Sequence, residues 1–288
     1  MRLTHIIPTR GRPQRLIETI GQTERNIGRK DTRILVCVDD DDEDTLDALD
    51  RGIVSIAHER IIVSIRPRED SRGEKYDRAL TEAPADLYLL GVDTVPILTP
   101  GYDQILLDSA RLFPDGIGCV YGPMANFSFP TLQAITARMA DLIGYLYSHE
   151  YPFWFIDHEL DDICRITGRF TFVDVAMPRN SASQTIRMRD LAWWCDYFDA
   201  MTIERRKVAM RIIDACVDLE WRKALLRTQH PVTEHRSFSI NQYVRLNAPK
   251  IEQVRGDAAA PDPGYLRLKA AAEARLVRLL PELAAAAA

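Results

Sequence analysis

The chain has 288 residues, a length that permits one large domain or one domain with a helical appendage. Of these residues 46% are hydrophobic and 27% charged, which is ordinary for a globular protein. Its formal net charge of −5 excludes a non-specific polyanion binder and leaves a local basic patch open. The five cysteines contain no CxxC pair. No apolar run approaches the roughly 20 residues that span a bilayer, and Arg2 leads directly into a predicted strand rather than a signal segment. We therefore predict a cytoplasmic protein.

Short apolar runs rich in β-branched residues alternate with amphipathic segments through residue 122. This alternation predicts an α/β fold, with a mostly parallel sheet covered by helices. The strands are predicted at residues 3–7, 33–38, 61–65, 87–90, 117–121 and 170–175. The intervening helices are predicted at 13–26, 44–57, 74–83, 102–113, 131–147 and 157–167.

The pattern becomes helical after about residue 190. Residues 190–228 carry almost no turn signal, which predicts one long helix or a helix pair packed on the sheet domain. Prolines and a glycine around residues 249–264 indicate a linker. Residues 265–283 are rich in Ala, Leu and Arg, which predicts a separate helix suited to packing or self-association. The predicted organisation is a catalytic domain over 1–189, a helical extension over 190–248, and a linker with a C-terminal helix over 249–288.

Polar residues stand where the first two predicted strands end. Pro8, Thr9 and Arg10 close the first strand, and Asp39 and Asp40 close the second. Ligands of parallel α/β sheets bind at the carboxyl ends of the strands. A carboxylate at this edge can accept hydrogen bonds from a base or a ribose, which predicts a nucleotide pocket here.

A further carboxylate follows the strand at 87–90, where Gly91 and Val92 lead to Asp93. A divalent cation that bridges a diphosphate needs few protein oxygens, because phosphate and water fill the other positions. Asp93 could hold such a cation, with Gly91 allowing close approach. The alternative is an ordinary turn aspartate at the end of a strand.

Several basic residues follow the first and third predicted strands. If these strands are neighbours, the basic residues ring one edge and could hold a diphosphate; individually, each suits a solvated surface. No GxGxxG or GxxxxGK loop is present, which argues against dinucleotide and P-loop sites. The basic set is Arg10, Arg12, Arg66, Arg68, Arg72 and Lys75.

Asp157 follows an aromatic run and is predicted to be the N-cap of the helix at 157–167, with Asp161 one turn further on the same face. A carboxylate beside aromatic walls suits a general base, since desolvation raises its pKa toward the working range. The alternative is a capping aspartate on an acidic helix. His158 is expected to be a surface or packing residue.

Taken in order, these motifs resemble a GT-A-fold glycosyltransferase of the family-2-like sort, which includes small phage and bacterial enzymes. The resemblance covers roughly residues 3–180. Residues 6–10 resemble the opening strand of that family, 38–40 its nucleotide-contacting VDD, 91–93 its DxD, 99–103 its TPGWD, and 156–160 its EDxxL helix.

The resemblance implies transfer of a sugar from a nucleoside diphosphate, with UDP-sugars favoured, to a hydroxyl acceptor by direct displacement with Asp157 as the base. It also implies a divalent cation, Mn²⁺ or Mg²⁺, at Asp93. The donor contacts that we predict on this basis are Pro8, Thr9, Arg10, Asp39, Asp40, Arg72, Lys75 and Val92.

The chain departs from the family pattern at three places. Gly91 stands at the first aspartate of the DxD, Ile156 replaces the glutamate of the ED pair, and residues 173–180 lack the histidine that often completes the metal site. The alternatives are a donor-fold binding protein without transfer activity and a nucleotidyltransferase, which would need a better phosphate loop than residues 11–13. The acceptor class stays open between a modified nucleic-acid base and a glycan.

Overall fold

A computed structural model describes residues 1–53, 58–122, 132–152, 155–178, 189–217 and 261–287. Seven strands of this part form one sheet, in the order β3-β2-β1-β4-β6-β5-β7. The strands are β1 (Leu3–Pro8), β2 (Arg33–Asp39), β3 (Ile61–Arg66), β4 (Leu87–Leu90), β5 (Cys119–Tyr121), β6 (Gln133–Thr136) and β7 (Phe170–Phe172). Strand pairing is parallel except where β6 meets β4 and β5, so the prediction of a mostly parallel α/β sheet is confirmed.

Helices cover both faces of this sheet, because its strands are apolar on both sides. One face packs against α1, α2 and α4, and the other against α3, α5 to α8 and the C-terminal helix α9. A one-turn 3₁₀ helix, His58–Arg60, precedes β3. The helices are α1 (Pro13–Arg25), α2 (Glu43–Ile53), α3 (Arg72–Glu82), α4 (Tyr102–Ala110), α5 (Ala137–Ile143), α6 (Ile156–Thr167), α7 (Leu191–Ala200), α8 (Thr202–Ala215) and α9 (Pro263–Ala287).

The predicted helix over 131–147 is wrong. Residues Gln133–Thr136 form β6, which lies between β4 and β5 and is buried along its whole length. The helix that follows, Ala137–Ile143, is short and ends at Gly144, whose φ of 102° only glycine adopts readily. Pairing on both sides satisfies the backbone of this segment, and that gain outweighs its helical pattern.

The helical C-terminal part packs on the sheet domain. Residues 191–215 form the helix pair α7–α8, and Arg205 of α8 donates to Asp162 of α6 at 2.6 Å. The C-terminal helix α9 is not separate, since Tyr265 is buried and accepts a hydrogen bond from Trp194 Nε1 at 3.2 Å. Residues 218–260, which include parts of the predicted extension and of the predicted linker, lie outside the described residues, and the domain boundaries stay predictions. No helix among the described residues is long and apolar enough to cross a membrane.

The topology brings four chain segments to one edge of the sheet. The carboxyl ends of β2, β1 and β4 are adjacent there, which collects the residues after Pro8, at Asp39 and after Leu90. Because β6 runs antiparallel, its first residue, Gln133, lies at the same edge and pairs with Leu90. This edge is where the polar motifs converge.

Candidate functional site

Asp39, the last residue of β2, is fully buried and surrounded by cations. Arg10 Nη1 donates to its Oδ2 at 2.8 Å, and Lys75 Nζ forms an ion pair with its Oδ1. Arg78 Nη2 lies 3.9 Å from the same Oδ1. A buried carboxylate requires partners of this kind. Asp39 therefore fixes Arg10 and Lys75 at the sheet edge.

The loop after β2 closes onto the loop after β1. Arg10 also forms a two-point ion pair with Asp41, with Nη1–Oδ1 and Nη2–Oδ2 distances of 2.5 and 2.9 Å. The Gly11 N–H donates to Asp42 Oδ2 at 2.7 Å. Asp40, in contrast, is exposed at this edge. The two predicted donor-contacting carboxylates thus differ, because Asp39 orders cations and Asp40 faces solvent.

Asp93 is held by both of its carboxylate oxygens. Thr9 Oγ1 donates to Oδ2 at 3.0 Å, and Arg12 Nη1 donates to Oδ1 at 3.2 Å. Thr19 Oγ1 donates to the backbone carbonyl of Asp93 at 3.0 Å. The side chain is only 5% exposed. The aspartate therefore links the ends of β1 and β4 and anchors a guanidinium group.

Gly91 lacks a side chain where β1 passes close by. A Cβ atom at this position would overlap the His5 ring and lie 2.8 Å from the Ile6 carbonyl oxygen. His5 is buried, where its Nδ1 and the Tyr102 hydroxyl are hydrogen-bonded at 3.2 Å, and burial lowers the pKa of His5 to about 3. A neutral imidazole therefore fills the space beside position 91, and strand packing requires the glycine.

The first turn of α3 faces the same edge. Ser71 is its N-cap and accepts the Gly73 N–H at 2.9 Å, which satisfies one of the free donors of the helix start. A Cβ at Gly73 would overlap the Ser148 carbonyl, so the glycine allows α3 to begin against this loop. The turn thereby presents Arg72 and, one turn later, Tyr76.

Arg72 and Tyr76 lie within electrostatic range of both Asp93 and Asp157. The Arg72 guanidinium lies 5.9 Å from the centroid of the Tyr76 ring. Burial opposes a charged Arg72, but Tyr76, Asp93 and Asp157 together raise its pKa. Burial raises the pKa of Tyr76 to about 12, and Asp157 and Asp93 add to that shift. Asp93 and Asp157 therefore act on the same helix turn.

A chain of hydrogen bonds joins Asp157 to this turn. Gln133 Nε2 donates to the backbone carbonyl of Asp157 at 3.1 Å, and Gln133 Oε1 accepts from the Tyr147 hydroxyl at 2.6 Å. The Tyr147 ring meets the Tyr76 ring edge-on with centroids 4.8 Å apart. The Tyr76 hydroxyl donates to the Gly91 carbonyl at 2.7 Å. These contacts fix the start of α6 relative to the end of β4.

The predictions made for Asp157 itself need two corrections. Phe155 is the N-cap of α6, so Asp157 lies inside the first turn. Burial favours a raised pKa, but the net pKa of Asp157 is lowered because the charge of His158 and two hydrogen bonds from that residue outweigh burial. His158 Nδ1 lies 2.8 Å from Asp157 Oδ1, and its side chain is packed rather than exposed. The Asp157 side chain is 38% exposed.

The backbone is strained at Phe155, two residues before Asp157. Phe155 has φ 75° and ψ −11°, which is unusual for a bulky residue. Its ring is fully buried and stacks on Phe198 with centroids 4.8 Å apart, and its carbonyl accepts the Glu159 N–H at 2.8 Å. Such conformations persist only where packing enforces them, and they cluster at functional sites.

The predicted basic set does not stay together. Because β2 lies between β1 and β3, Arg66 points away into an ion pair with Glu82. Arg68 pairs with Asp262 at the start of α9, with a separation of 3.3 Å. The members of the set that remain at the site are Arg10, Arg12, Arg72 and Lys75.

The remaining predicted donor contacts, Pro8 and Val92, lie at the carboxyl edge of the sheet, and their roles in donor binding stay predictions. Pro8 is buried at the end of β1, and Val92 is half-buried next to Asp93. Residues that the sequence analysis missed include Tyr76, Gln133 and Tyr147. Gln133 carried a usable signal, because a lone amide inside an apolar run needs a partner for its buried polar atoms.

The residues around Asp93 do not fit a divalent cation. Each of its carboxylate oxygens already accepts a hydrogen bond, one of them from a guanidinium group that would repel a cation. The His5 ring occupies the space in which a side chain at position 91 would supply a second ligand. Among the described residues, no cluster of three or more His, Cys, Asp or Glu side chains could hold a metal ion.

Comparison with known proteins bears on the fold. No protein-family model and no curated protein sequence matches the chain. The structure is similar to the mannosyltransferase PcManGT from Pyrobaculum calidifontis in complex with GDP-Man and Mn²⁺. The identity is 14%, the match covers 99% of this chain and 80% of that chain, and the TM-score is 0.53.

It is also similar to residues 1–349 of S. aureus TarS in complex with UDP-GlcNAc. In that case the identity is 9%, the match covers 88% of this chain and 84% of that chain, and the TM-score is 0.55. At these identities the similarity concerns the fold. The chain has the α/β fold of the GT-A-type glycosyltransferases, as the resemblance of its motifs predicted.

Proposed function

We propose that the chain is a glycosyltransferase that moves a sugar from a nucleoside diphosphate to a hydroxyl acceptor. The observation that supports this most directly is the chain of contacts that joins the segments of Asp93 and Asp157 at the carboxyl edge of the sheet. The Tyr76 hydroxyl donates to the Gly91 carbonyl at 2.7 Å, and the Tyr76 ring contacts Tyr147, which reaches the Asp157 carbonyl through Gln133. The two similar structures hold GDP-Man and UDP-GlcNAc, so their bound ligands are nucleotide sugars. UDP-sugars remain the favoured donors.

The reaction is a direct displacement at the anomeric carbon. The acceptor oxygen forms a bond to that carbon while the bond to the β-phosphate oxygen breaks and leaves its electron pair on the diphosphate. Asp157 takes the acceptor proton. Its Oδ1 already accepts two hydrogen bonds from His158, so we assign the proton transfer to Oδ2.

The donor side consists of the segments that end β1, β2 and β4. Asp39 acts by positioning Arg10 and Lys75, while the exposed Asp40 is suited to contact the base or ribose. We assign Pro8, Thr9 and Val92 to the wall of the donor pocket. We assign Arg72 to the diphosphate. The residues around Asp93 do not fit a divalent cation, so no step depends on one.

The experiment is donor turnover by an Asp157→Asn variant. We expect loss of transfer and of donor hydrolysis, with nucleotide affinity nearly unchanged, because the amide cannot accept the proton and keeps the shape of the side chain. Asp141→Asn, an exposed change on α5, is the matched control and should retain wild-type rates. Full turnover by Asp157→Asn would overturn the role of this residue.

The second candidate is a donor-fold protein that binds nucleotides without transfer, and the reduced motif at Gly91 favours it. Calorimetric titration with several nucleoside diphosphates, alongside donor hydrolysis, separates the two. Binding without hydrolysis or transfer to any acceptor would favour the second candidate. The acceptor, the cytoplasmic location and self-association through α9 stay predictions.

A further inference from the structure

We propose that Arg12 and Arg72, rather than a divalent cation at Asp93, neutralise the diphosphate of the donor. This inference rests on the proposed function, since it concerns how the same site holds its donor. It departs from the metal that the motif resemblance implied. Four features of the site carry it.

The first feature is the way in which Asp93 is used. Arg12 Nη1 donates to Oδ1 at 3.2 Å and Thr9 Oγ1 donates to Oδ2 at 3.0 Å, so this carboxylate serves as an anchor for a cationic side chain. Protein oxygens bind Mg²⁺ at about 2.1 Å with near-octahedral geometry, which requires lone pairs directed at the ion. Each carboxylate oxygen of Asp93 already has one lone pair directed at a protein donor, and the Arg12 guanidinium on Oδ1 would repel a cation bound there.

The second feature is the missing partner carboxylate. Gly91 stands at the first position of the motif, and a side chain there would collide with the buried, neutral His5 ring. The middle position is Val92, which has no metal-binding atom. Residues 173–189, which follow β7, contain no histidine, cysteine or glutamate, and their one carboxylate, Asp174, is exposed.

The third feature is the placement of the two arginines. Arg12 is the N-cap of the 13-residue helix α1, and Arg72 is the first residue of the 11-residue helix α3. The N-terminus of a helix carries a partial positive charge, which favours phosphate groups. Each arginine therefore adds a full charge at a place where the backbone is already suited to an anion.

The fourth feature is the charge of the set. Asp93 with Arg12 and Arg72 carries one negative and two positive charges. This net charge equals that of one carboxylate with one divalent cation. Guanidinium groups also bind phosphate oxygens through two parallel hydrogen bonds, and they need no change in protonation to do so. The two arginines can therefore stabilise the charge that develops on the β-phosphate oxygen as its bond to the sugar breaks.

The test is calorimetric titration of the full chain with UDP and with GDP, each in EDTA and in MnCl₂. We expect the same affinity in both buffers. Arg12→Gln and Arg72→Gln should each weaken binding by about tenfold or more, as expected for the loss of a charge-assisted contact, and Arg72→Lys should recover part of the loss. Arg25→Gln, an exposed change at the far end of α1, is the matched control and should bind normally.

Thermal melting of each variant separates lost binding from lost folding. Binding that disappears in EDTA and returns with Mn²⁺ would overturn this inference and leave the proposed function standing. Metal-independent binding that neither arginine variant weakens would overturn the assignment of these residues. If neither nucleotide binds in either buffer, the proposed function fails, and this inference fails with it.

Discussion

His158 Nδ1 lies 2.8 Å from Asp157 Oδ1, and the backbone N–H of the same histidine donates to the same oxygen at 3.0 Å. Asp157 is therefore held in its charged form and is a weaker base than an isolated buried carboxylate. Its strength depends on the neighbouring imidazole, which gives the first prediction.

Replacing His158 with glutamine should shift the acid limb of the rate profile to higher pH. In the wild type, the interactions with His158 lower the pKa of Asp157 and burial raises it. The variant loses the charge of the imidazole, so the effect of burial should dominate and the pKa of Asp157 should rise. Because activity needs ionised Asp157, the variant should lose rate at a higher pH than the wild type. The measurement is kcat/KM for donor hydrolysis as a function of pH, and coincident acid limbs would contradict the pairing.

Replacing Gly91 with alanine should destabilise the protein by about 1–3 kcal/mol, because the new methyl group collides with the His5 ring. Gly21→Ala is the control, since this helical glycine has only Arg25 Nη1 at 3.7 Å from the new Cβ and should gain up to about 1 kcal/mol. The measurement is urea unfolding. Combining Gly91→Ala with His5→Ala should cost less than the sum of the single changes, and strict additivity would rule out the contact.

The stability that His149 contributes to the fold should fall as pH rises above 6.5. Burial lowers its pKa, but the hydrogen bond and charge of Asp77 at 2.7 Å outweigh burial and raise it above the ordinary 6.5. Because the pKa of His149 is higher in the folded state, protonation of this residue stabilises the fold fully below pH 6.5. This stabilisation is lost as the pH rises through the pKa of His149 in the folded protein. His149→Gln should flatten this part of the melting-temperature profile, and an unchanged slope would contradict the assignment.

Replacing Arg205 with methionine should destabilise the protein by about 3–5 kcal/mol, because it leaves Asp162 buried without its cation. Arg205→Met with Asp162→Leu should recover part of the loss, since both charges are then removed. Arg211→Met, an exposed change on the same helix, should stay within about 0.5 kcal/mol of wild type. Urea unfolding that shows no cost for Arg205→Met would mean that α8 is not fixed to α6 by this pair.

The sequence predicts the first half of the sheet well for a physical reason. The β1, β2 and β4 segments are buried on both faces, so each is a mainly apolar run with a polar residue at its end or within three positions after it. The ends of these runs are also where the carboxylates stand. Positions such as Asp39 and Asp93 could therefore be assigned to one edge before their contacts were known.

What the sequence does not predict depends on partners that are distant along the chain. Gln133–Thr136 continues into α5 without a break, and only its pairing with β4 and β5 makes it a strand. The basic set separates because β2 lies between β1 and β3. The pKa of Asp157 could not be inferred from burial alone, because the adjacent His158 reverses the direction.

The contact between Gly91 and His5 also limits how the chain can evolve. An aspartate at position 91 would meet the His5 ring, and a smaller residue at position 5 would leave a cavity beside a bare glycine. Each single change is therefore expected to lower fitness by weakening the fold before any catalytic gain. A two-carboxylate motif therefore requires paired substitutions at positions 5 and 91, so descendants of this sequence are expected to keep arginine as the group that neutralises the diphosphate.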